Sequence, residues 1–312
     1  MTVKRAIVLG SRGSKLALAQ VEIVREVLAA SCPDLLVKVA TYTTKGDSVT
    51  DVPLSQVGGT GIFTSELESA LQSGEIDIAV HSLKDVPSEI DEGLAIAGVL
   101  ERADPRDAFL SEDGRLLEEL EKGDTVGTSS LRRKAQLCRI NPGAVAVDIR
   151  GNIDTRIRKL FQGHCDGIIL AAAGLHRAGF ESSITEYLRL DTMLPAPTQG
   201  IIGLEVRGDD KTTIDIVAYL NHKATWLAAA GERSFLREVE GGCRIPVGCH
   251  AALDKATMEI TGLVADVDGT RLVRRFLRGP ADQAADLGKK LAGEILASGG
   301  REILEIVRTG NI

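Results

Sequence analysis

From Ser14 onward apolar positions recur at helical spacing. Leu16, Ala19, Ile23 and Val27 form one stripe, and Ala17, Val21, Val24 and Leu28 form another. Two adjoining stripes predict a helix with a broad buried face. Short apolar runs flank it, Arg5–Leu9 before and the β-branched stretch Leu35–Tyr42 after, and both read as strands. Ser65–Gln72 reads as a helix with Thr64 as its cap, and Ile76–Val80 as a buried strand.

After the polar, turn-rich stretch Glu101–Arg106 the alternation resumes. Strands are predicted at Asp124–Gly127, Ala144–Ile149 and Gly167–Ala171. Helices are predicted at Ser130–Ile140, which Asn141-Pro142-Gly143 stops, at Asn152–Phe161 and near Ala172–Ala178. Alternating β and α units imply mostly parallel sheets with right-handed crossovers. Pro195-Ala196-Pro197 marks a second linker, and the strand Ile201–Val206 beyond it could return to the first sheet. The last part has another rhythm: a helix at Thr225–Glu238, strands near Cys249–Leu253, Met258–Ala265 and Arg271–Leu277, then helices near Asp282–Ala297 and Arg301–Val307. The fold class is therefore α/β, with two lobes of mixed, mostly parallel sheets and a C-terminal α+β domain. The expected boundaries are 1–100 with 200–219 for lobe 1, 105–194 for lobe 2 and 220–312 for the C-terminal domain.

A chain of 312 residues, 44% apolar and 26% charged, is globular and too long for one ordinary core. It has no apolar run of membrane-spanning length. Met1–Gly10 lacks the apolar core of a signal peptide, so a cytoplasmic protein is expected. The odd count of five cysteines argues against a disulfide framework, and the scattered histidines against a metal site. No amphipathic stripe lacks an internal partner, so a monomer is expected.

Charge changes the picture more. Residues 127–160 hold eight Lys and Arg against two Asp. The segment carries +6 within a chain of net charge −7, which leaves −13 on the remainder. A cationic patch in an acidic protein points to an anionic ligand, although Lys134, Arg139, Arg158 and Lys159 read better as solvated helix faces. Four motifs fall at strand ends, where α/β sheets bind ligands. They are Ser11-Arg12-Gly13-Ser14, His81-Ser82-Leu83-Lys84-Asp85, Gly127-Thr128-Ser129-Ser130-Leu131-Arg132-Arg133 and Arg150-Gly151-Asn152. Each brings N–H groups, hydroxyls and a cation, which suits carboxylate or phosphate. No P-loop or dinucleotide fingerprint is present, and 3% aromatics disfavour stacking on bases, so no nucleic-acid partner is expected. Asp85 is the best acid/base candidate, against a plainer reading as a cap or ion-pair partner. Cys243, in Glu240-Gly241-Gly242-Cys243-Arg244, is placed for a covalent bond by two glycines and a cationic neighbour. The plainer alternative is a small residue packed under a loop.

These motifs, with Thr155-Arg156, occur in the order found in the porphobilinogen deaminase (hydroxymethylbilane synthase) family, which the chain resembles over essentially its whole length. The resemblance implies two lobes like those of periplasmic binding proteins, with a third domain presenting the cysteine. It implies a transferase that condenses four porphobilinogen molecules head to tail into a linear tetrapyrrole with loss of ammonia. It further implies a dipyrromethane cofactor held by a thioether to Cys243. Lys84, Ser130, Arg132, Arg133, Arg150 and Arg156 would hold the cofactor and growing chain. Arg12, Ser14, Arg177 and Gln199 would meet the incoming substrate. Asp85 would be the catalytic carboxylate, stabilising the cation formed when ammonia leaves. No metal and no membrane enters this picture.

One position departs from the family pattern. Many members have a lysine where this chain has Thr60, in Gly58-Gly59-Thr60-Gly61-Ile62-Phe63. The expectation here is a glycine-hinged lid, with Gly59 supplying freedom and Phe63 covering the site. Two other classes compete with the enzyme reading. A non-catalytic two-lobe anion receptor leaves Cys243 unexplained, and a nucleic-acid module conflicts with the acidic total.

Overall fold

A computed structural model describes residues 6–44, 64–239 and 245–309. Among them the chain forms two compact units, one from 6–44, 64–103 and 201–226, the other from 104–200 and from 227 onward.

In the first unit β1 (Ala6–Arg12) leads into α1 (Lys15–Ser31), β2 (Leu36–Tyr42), α2 (Ser65–Ser73), β3 (Ile78–Ser82) and β4 (Leu94–Val99). β10 (Ile202–Arg207) and α6 (Lys211–Ala218) complete it after the second lobe. The strand order is β2-β1-β3-β10-β4. β1 pairs in parallel with β2 and β3, while β10 runs antiparallel between β3 and β4. Ser14 starts α1 because its hydroxyl accepts the Ala17 N–H at 3.2 Å, satisfying a donor the helix cannot use. The predicted stripe of α1 then buries Val21, Val24 and Leu28 in one core with Ile7, Leu9, Ile78 and Leu204.

The second unit repeats the plan with β5 (Asp107–Ser111), β6 (Thr125–Gly127), α3 (Leu131–Ile140), β7 (Val145–Val147), α4 (Ile153–Phe161), β8 (Gly167–Ala171), α5 (Ala172–Ala178) and β9 (Glu186–Tyr187). The order is β7-β6-β8-β5-β9, parallel among β6, β7 and β8, with β5 antiparallel to β8 and β9. In each sheet, therefore, one strand runs against the other four. β4, β5 and α6 were not anticipated from the sequence. β5 is buried along its whole length yet opens on an aspartate, so it shows neither alternation nor an uninterrupted apolar run.

The remainder of this unit begins inside α7 (Lys223–Glu238), whose first turn belongs to the first unit, and continues with the antiparallel meander β11 (Val247–Asp254), β12 (Thr257–Ala265) and β13 (Leu272–Pro280), then α8 (Ala284–Ile295) and α9 (Arg301–Thr309). Phe235, Met258, Ile260, Leu291 and Ile295 fill its core. Gly288 of α8 lies so close to α7 that a Cβ there would stand 2.0 Å from the Gly231 carbonyl oxygen, so the two helix backbones touch.

This domain is fastened to the lobe before it. Ala135 and Leu194 pack with Leu263 and Ala265, and the Cys249 N–H donates to the Pro195 carbonyl at 3.0 Å. The buried Glu232 carboxylate accepts the N–H groups of both Thr198 and Ala251. Thr198 sits at φ 61, a left-handed conformation that a β-branched residue adopts only when its surroundings impose it.

The lobe itself is centred on Asp107, fully buried at the head of β5. Its Oδ2 accepts from Arg132 Nη1 at 2.7 Å. Its Oδ1 accepts from Arg133 Nη2 at 2.7 Å and from Gln199 Nε2 at 2.9 Å. Arg132 Nη1 also reaches the Leu194 carbonyl, and Arg133 Nη1 the Ile169 carbonyl. Burial alone would push the Asp107 carboxyl up, but the two guanidiniums outweigh it and hold its pKa far below the usual carboxylate range. A depressed folded-state pKa stabilises the fold fully above the ordinary aspartate value of about 4, and that contribution fades only as pH falls toward the depressed value. Asp107→Asn leaves two buried cations without their counter-charge. It is expected to cost about 3–5 kcal/mol, read as a lower urea midpoint with an unchanged slope.

Candidate active site

In the first unit the neighbouring parallel strands β1 and β3 end side by side, and the segments that follow them share the carboxyl edge of the sheet. Arg12-Gly13-Ser14 turns into α1, and a single 3-10 turn, Leu83–Asp85, follows β3. Arg12, Ser14, Gln20, His81, Ser82 and Asp85 line a cavity of about 50 Å³ between these segments. Gln20 Nε2 donates to Ser82 Oγ at 2.8 Å, tying α1 to the end of β3. The Leu83 N–H donates to the Ile201 carbonyl at 3.0 Å, fixing the turn against β10. Asp85 is thereby held half-buried at the cavity, and Lys84 lies half-buried beside it on the same turn. His81, also lining the cavity, is bound at Nε2 by Glu205 Oε2 at 2.9 Å.

In the second unit the carboxyl ends of β6, β7 and β8 carry the cationic motifs. Ser130 caps α3, its hydroxyl accepting the Arg133 N–H. Between β7 and α4, Gly151 adopts φ 112, which only glycine tolerates readily. Arg156 Nε donates to the Gly151 carbonyl at 2.7 Å and Lys159 Nζ to the Arg150 carbonyl at 3.1 Å, so two cations hold this turn. The Arg150 side chain is left with Nη1 buried and without a hydrogen-bond partner among the described residues. Arg177 of α5 donates Nη2 to the Gly200 carbonyl at 2.7 Å, and burial, with no carboxylate to offset it, pulls its pKa down to about 10. A buried charged donor without an acceptor is destabilising. Incompletely satisfied guanidiniums at the ligand-binding edge of an α/β sheet are suited to an anion with oxygen acceptors, above all a carboxylate.

The structure thus gathers Arg12, Ser14, Lys84 and Asp85 at the first sheet's edge and Ser130, Arg150, Arg156 and Arg177 at the second's. Three residues expected at the ligand are bound to a carboxylate of the protein itself. Arg132 and Arg133 are buried and bound to Asp107, and Gln199 is fully buried with its amide on Asp107 and the Pro105 carbonyl. The reason is the aspartate at the head of β5, a strand the sequence pattern did not reveal. Cys243, Gly59, Thr60 and Phe63 lie outside the described residues.

The sequence pattern placed His81 in a strand-end motif without a role, offered Thr64 only as a helix cap, and did not single out Gln20 or Glu205. Gln20 did carry a signal, as a polar residue set inside the broad apolar face of α1. Among the described residues no cluster of His, Cys, Asp and Glu is placed to hold a metal ion, and no helix is long and apolar enough to cross a membrane.

Comparison with known proteins adds the family. Residues 7–215 match "porphobilinogen deaminase, dipyromethane cofactor binding domain" and residues 226–297 match "porphobilinogen deaminase, C-terminal domain". Curated relatives named porphobilinogen deaminase include one from Trichlorobacter lovleyi, 47% identical over 96% of each chain. Another, from Geobacter sulfurreducens, is 47% identical over 95% of this chain and 93% of its own. A third, from Desulforamulus reducens, is 44% identical over 99% of this chain and 100% of its own. Among solved structures, the ligand-binding component of an ABC-type import system from Staphylococcus aureus superposes with TM-score 0.41 at 13% identity, over 74% of this chain and 73% of that one. A match over both parts of the chain, with near-half identity from end to end, makes it a member of the porphobilinogen deaminase family whose dipyrromethane cofactor binding domain spans residues 7–215.

Proposed function

We propose that this chain condenses four porphobilinogen molecules head to tail into hydroxymethylbilane with release of ammonia, working on a dipyrromethane primer joined to Cys243. The observation that carries the reading is Arg150, a cation at the second sheet's edge with a buried donor that no group among the described residues accepts. Each pyrrole bears an acetate and a propionate, and such carboxylates are the acceptors this guanidinium lacks, so the residues present fit the group. When bound, the dipyrromethane supplies the nucleophilic pyrrole carbon from which the product is extended.

The chain's own residues then divide the work. Arg150, Arg156, Lys84 and Ser130 hold the carboxylates of primer and product. Arg12 and Ser14, at the cavity that Asp85 lines, and Arg177 hold those of the incoming substrate. The Asp85 carboxylate holds the substrate's pyrrole N–H and stabilises the positive charge that develops as the C–N bond breaks. Arg132, Arg133 and Gln199 act as positioning residues through Asp107, since Arg132 and Arg133 open α3 just after Ser130. The domain division at 100, 105, 194, 200 and 220, a cytoplasmic location and a monomeric state belong to the same reading.

Three variants test it. Asp85→Asn is expected to keep the covalent adduct yet lower kcat by about 10²–10³, measured in single-turnover and steady-state assays. Cys243→Ser is expected to lose the mass excess of two condensed pyrrole units seen in the intact denatured protein. A wild-type protein that stays unmodified after incubation with porphobilinogen overturns the reading. Arg150→Leu removes an unsatisfied buried donor. Its urea midpoint is therefore expected to be equal or higher, while adduct formation slows; normal loading would remove Arg150 from the site.

A further inference from the structure

We propose that His81 accepts a hydrogen bond from the aminomethyl ammonium of the incoming substrate, with Glu205 holding the ring in the orientation and tautomer this requires. The inference rests on the reading of the Asp85 cavity as the deamination site, and it assigns the group that holds the nitrogen about to leave.

The placement follows from sheet register. β3 and β10 are antiparallel, with Gly203 opposite His81 and Glu205 opposite Ala79, so Glu205 and His81 are diagonal neighbours on one face. The Nε2···Oε2 distance is 2.9 Å, and the two side chains are 4% and 0% exposed. An ionised carboxylate only accepts, so the proton of the neutral imidazole resides on Nε2 and Nδ1 carries the lone pair. Nδ1 has no partner among the described residues and is not a sealed orphan, which leaves it facing the cavity that His81 lines.

Stability does not explain the pair. Glu205 Oε1 is buried without a partner among the described residues, in a strand whose neighbours Leu204 and Val206 belong to an apolar core. A buried carboxylate with a single partner is a poor stabiliser beside an apolar pair of similar volume. The groups around His81 specify the ligand's sign. Glu205 comes from β10 and Glu68 from α2, where burial pushes the Glu68 carboxyl up, the Thr64 hydroxyl bond opposes this, and Glu205 and Asp91 add to the rise. Asp85 comes from the 3-10 turn, with Lys84 beside it, and Arg12 from β1; α1 contributes the neutral Gln20. Three acidic groups against two cations favour a cationic group. The cavity, at about 50 Å³, has room for several waters and so for an aminomethyl head. In the step, the C–N bond breaks with its electron pair on nitrogen, ammonia leaves with its three protons, and the positive charge remains on the pyrrole methylene beside Asp85. His81 neither gains nor loses a proton; it aims the leaving group.

The test is kcat and KM measured separately, together with ¹⁵N NMR of the His81 ring. Wild type is expected to show the Nε2–H tautomer. His81→Asn keeps a weaker acceptor and is expected to lose about tenfold in kcat/KM. Glu205→Gln, whose amide donates to the ring, is expected to move the proton to Nδ1 and to lower kcat/KM by about 10- to 100-fold with the fold intact by urea denaturation. A wild-type ring protonated at Nδ1, or a His81→Asn or Glu205→Gln protein of normal kcat/KM, overturns the proposal. If wild type forms no adduct with porphobilinogen, the parent reading fails with it. If the adduct forms and both variants keep the wild-type kcat/KM, this inference alone fails.

Discussion

Asp107 has no access to water, yet it holds Arg132, Arg133 and Gln199 at once. Those partners come from two separate parts of the second unit, the first turn of α3 and the end of the Pro195–Gly200 segment. A buried carboxylate among cations is stable only if every partner stays in place. The aspartate therefore fixes the start of α3 against β5, and with it the Ser130 cap and the loop from β6. From the same centre the Arg132–Leu194 bond reaches the segment to which the C-terminal domain is fastened.

Satisfied and unsatisfied arginines thus have different tasks within one patch. Arg132 and Arg133 carry their counter-charge inside the protein, so they contribute rigidity and little field. Arg150 and Arg177 have no carboxylate partner among the described residues, and they keep a local potential in a chain that is acidic overall. In the proposed function a polyanionic ligand meets these few donors on a frame held by buried ion pairs, which is how preorganised donors keep their strength.

Much of this was legible in the residue pattern. α1, α3 and α4 declared themselves by stripes and caps, and the motifs at strand ends marked both sheet edges. What the pattern could not distinguish was which arginines already had a partner, since Asp107 lies 25 residues from Arg132 on a strand headed by a charge. His81 and Glu205 are 124 positions apart, and only the antiparallel return of β10 makes them neighbours. Local periodicity reports faces, whereas pairings of this range depend on register.

The stretch that carries Cys243 begins after Val239 and ends before Ile245, and both of these side chains are buried in the C-terminal core. That core is in turn pinned to Pro195 and Thr198 by the Cys249 and Glu232 bonds. Under the proposed attachment, every ring added carries the reactive end one unit farther from a domain that is itself pinned to the second lobe. Length becomes a coordinate, and an assembly built this way gauges its product as a ruler does, by where the end has reached.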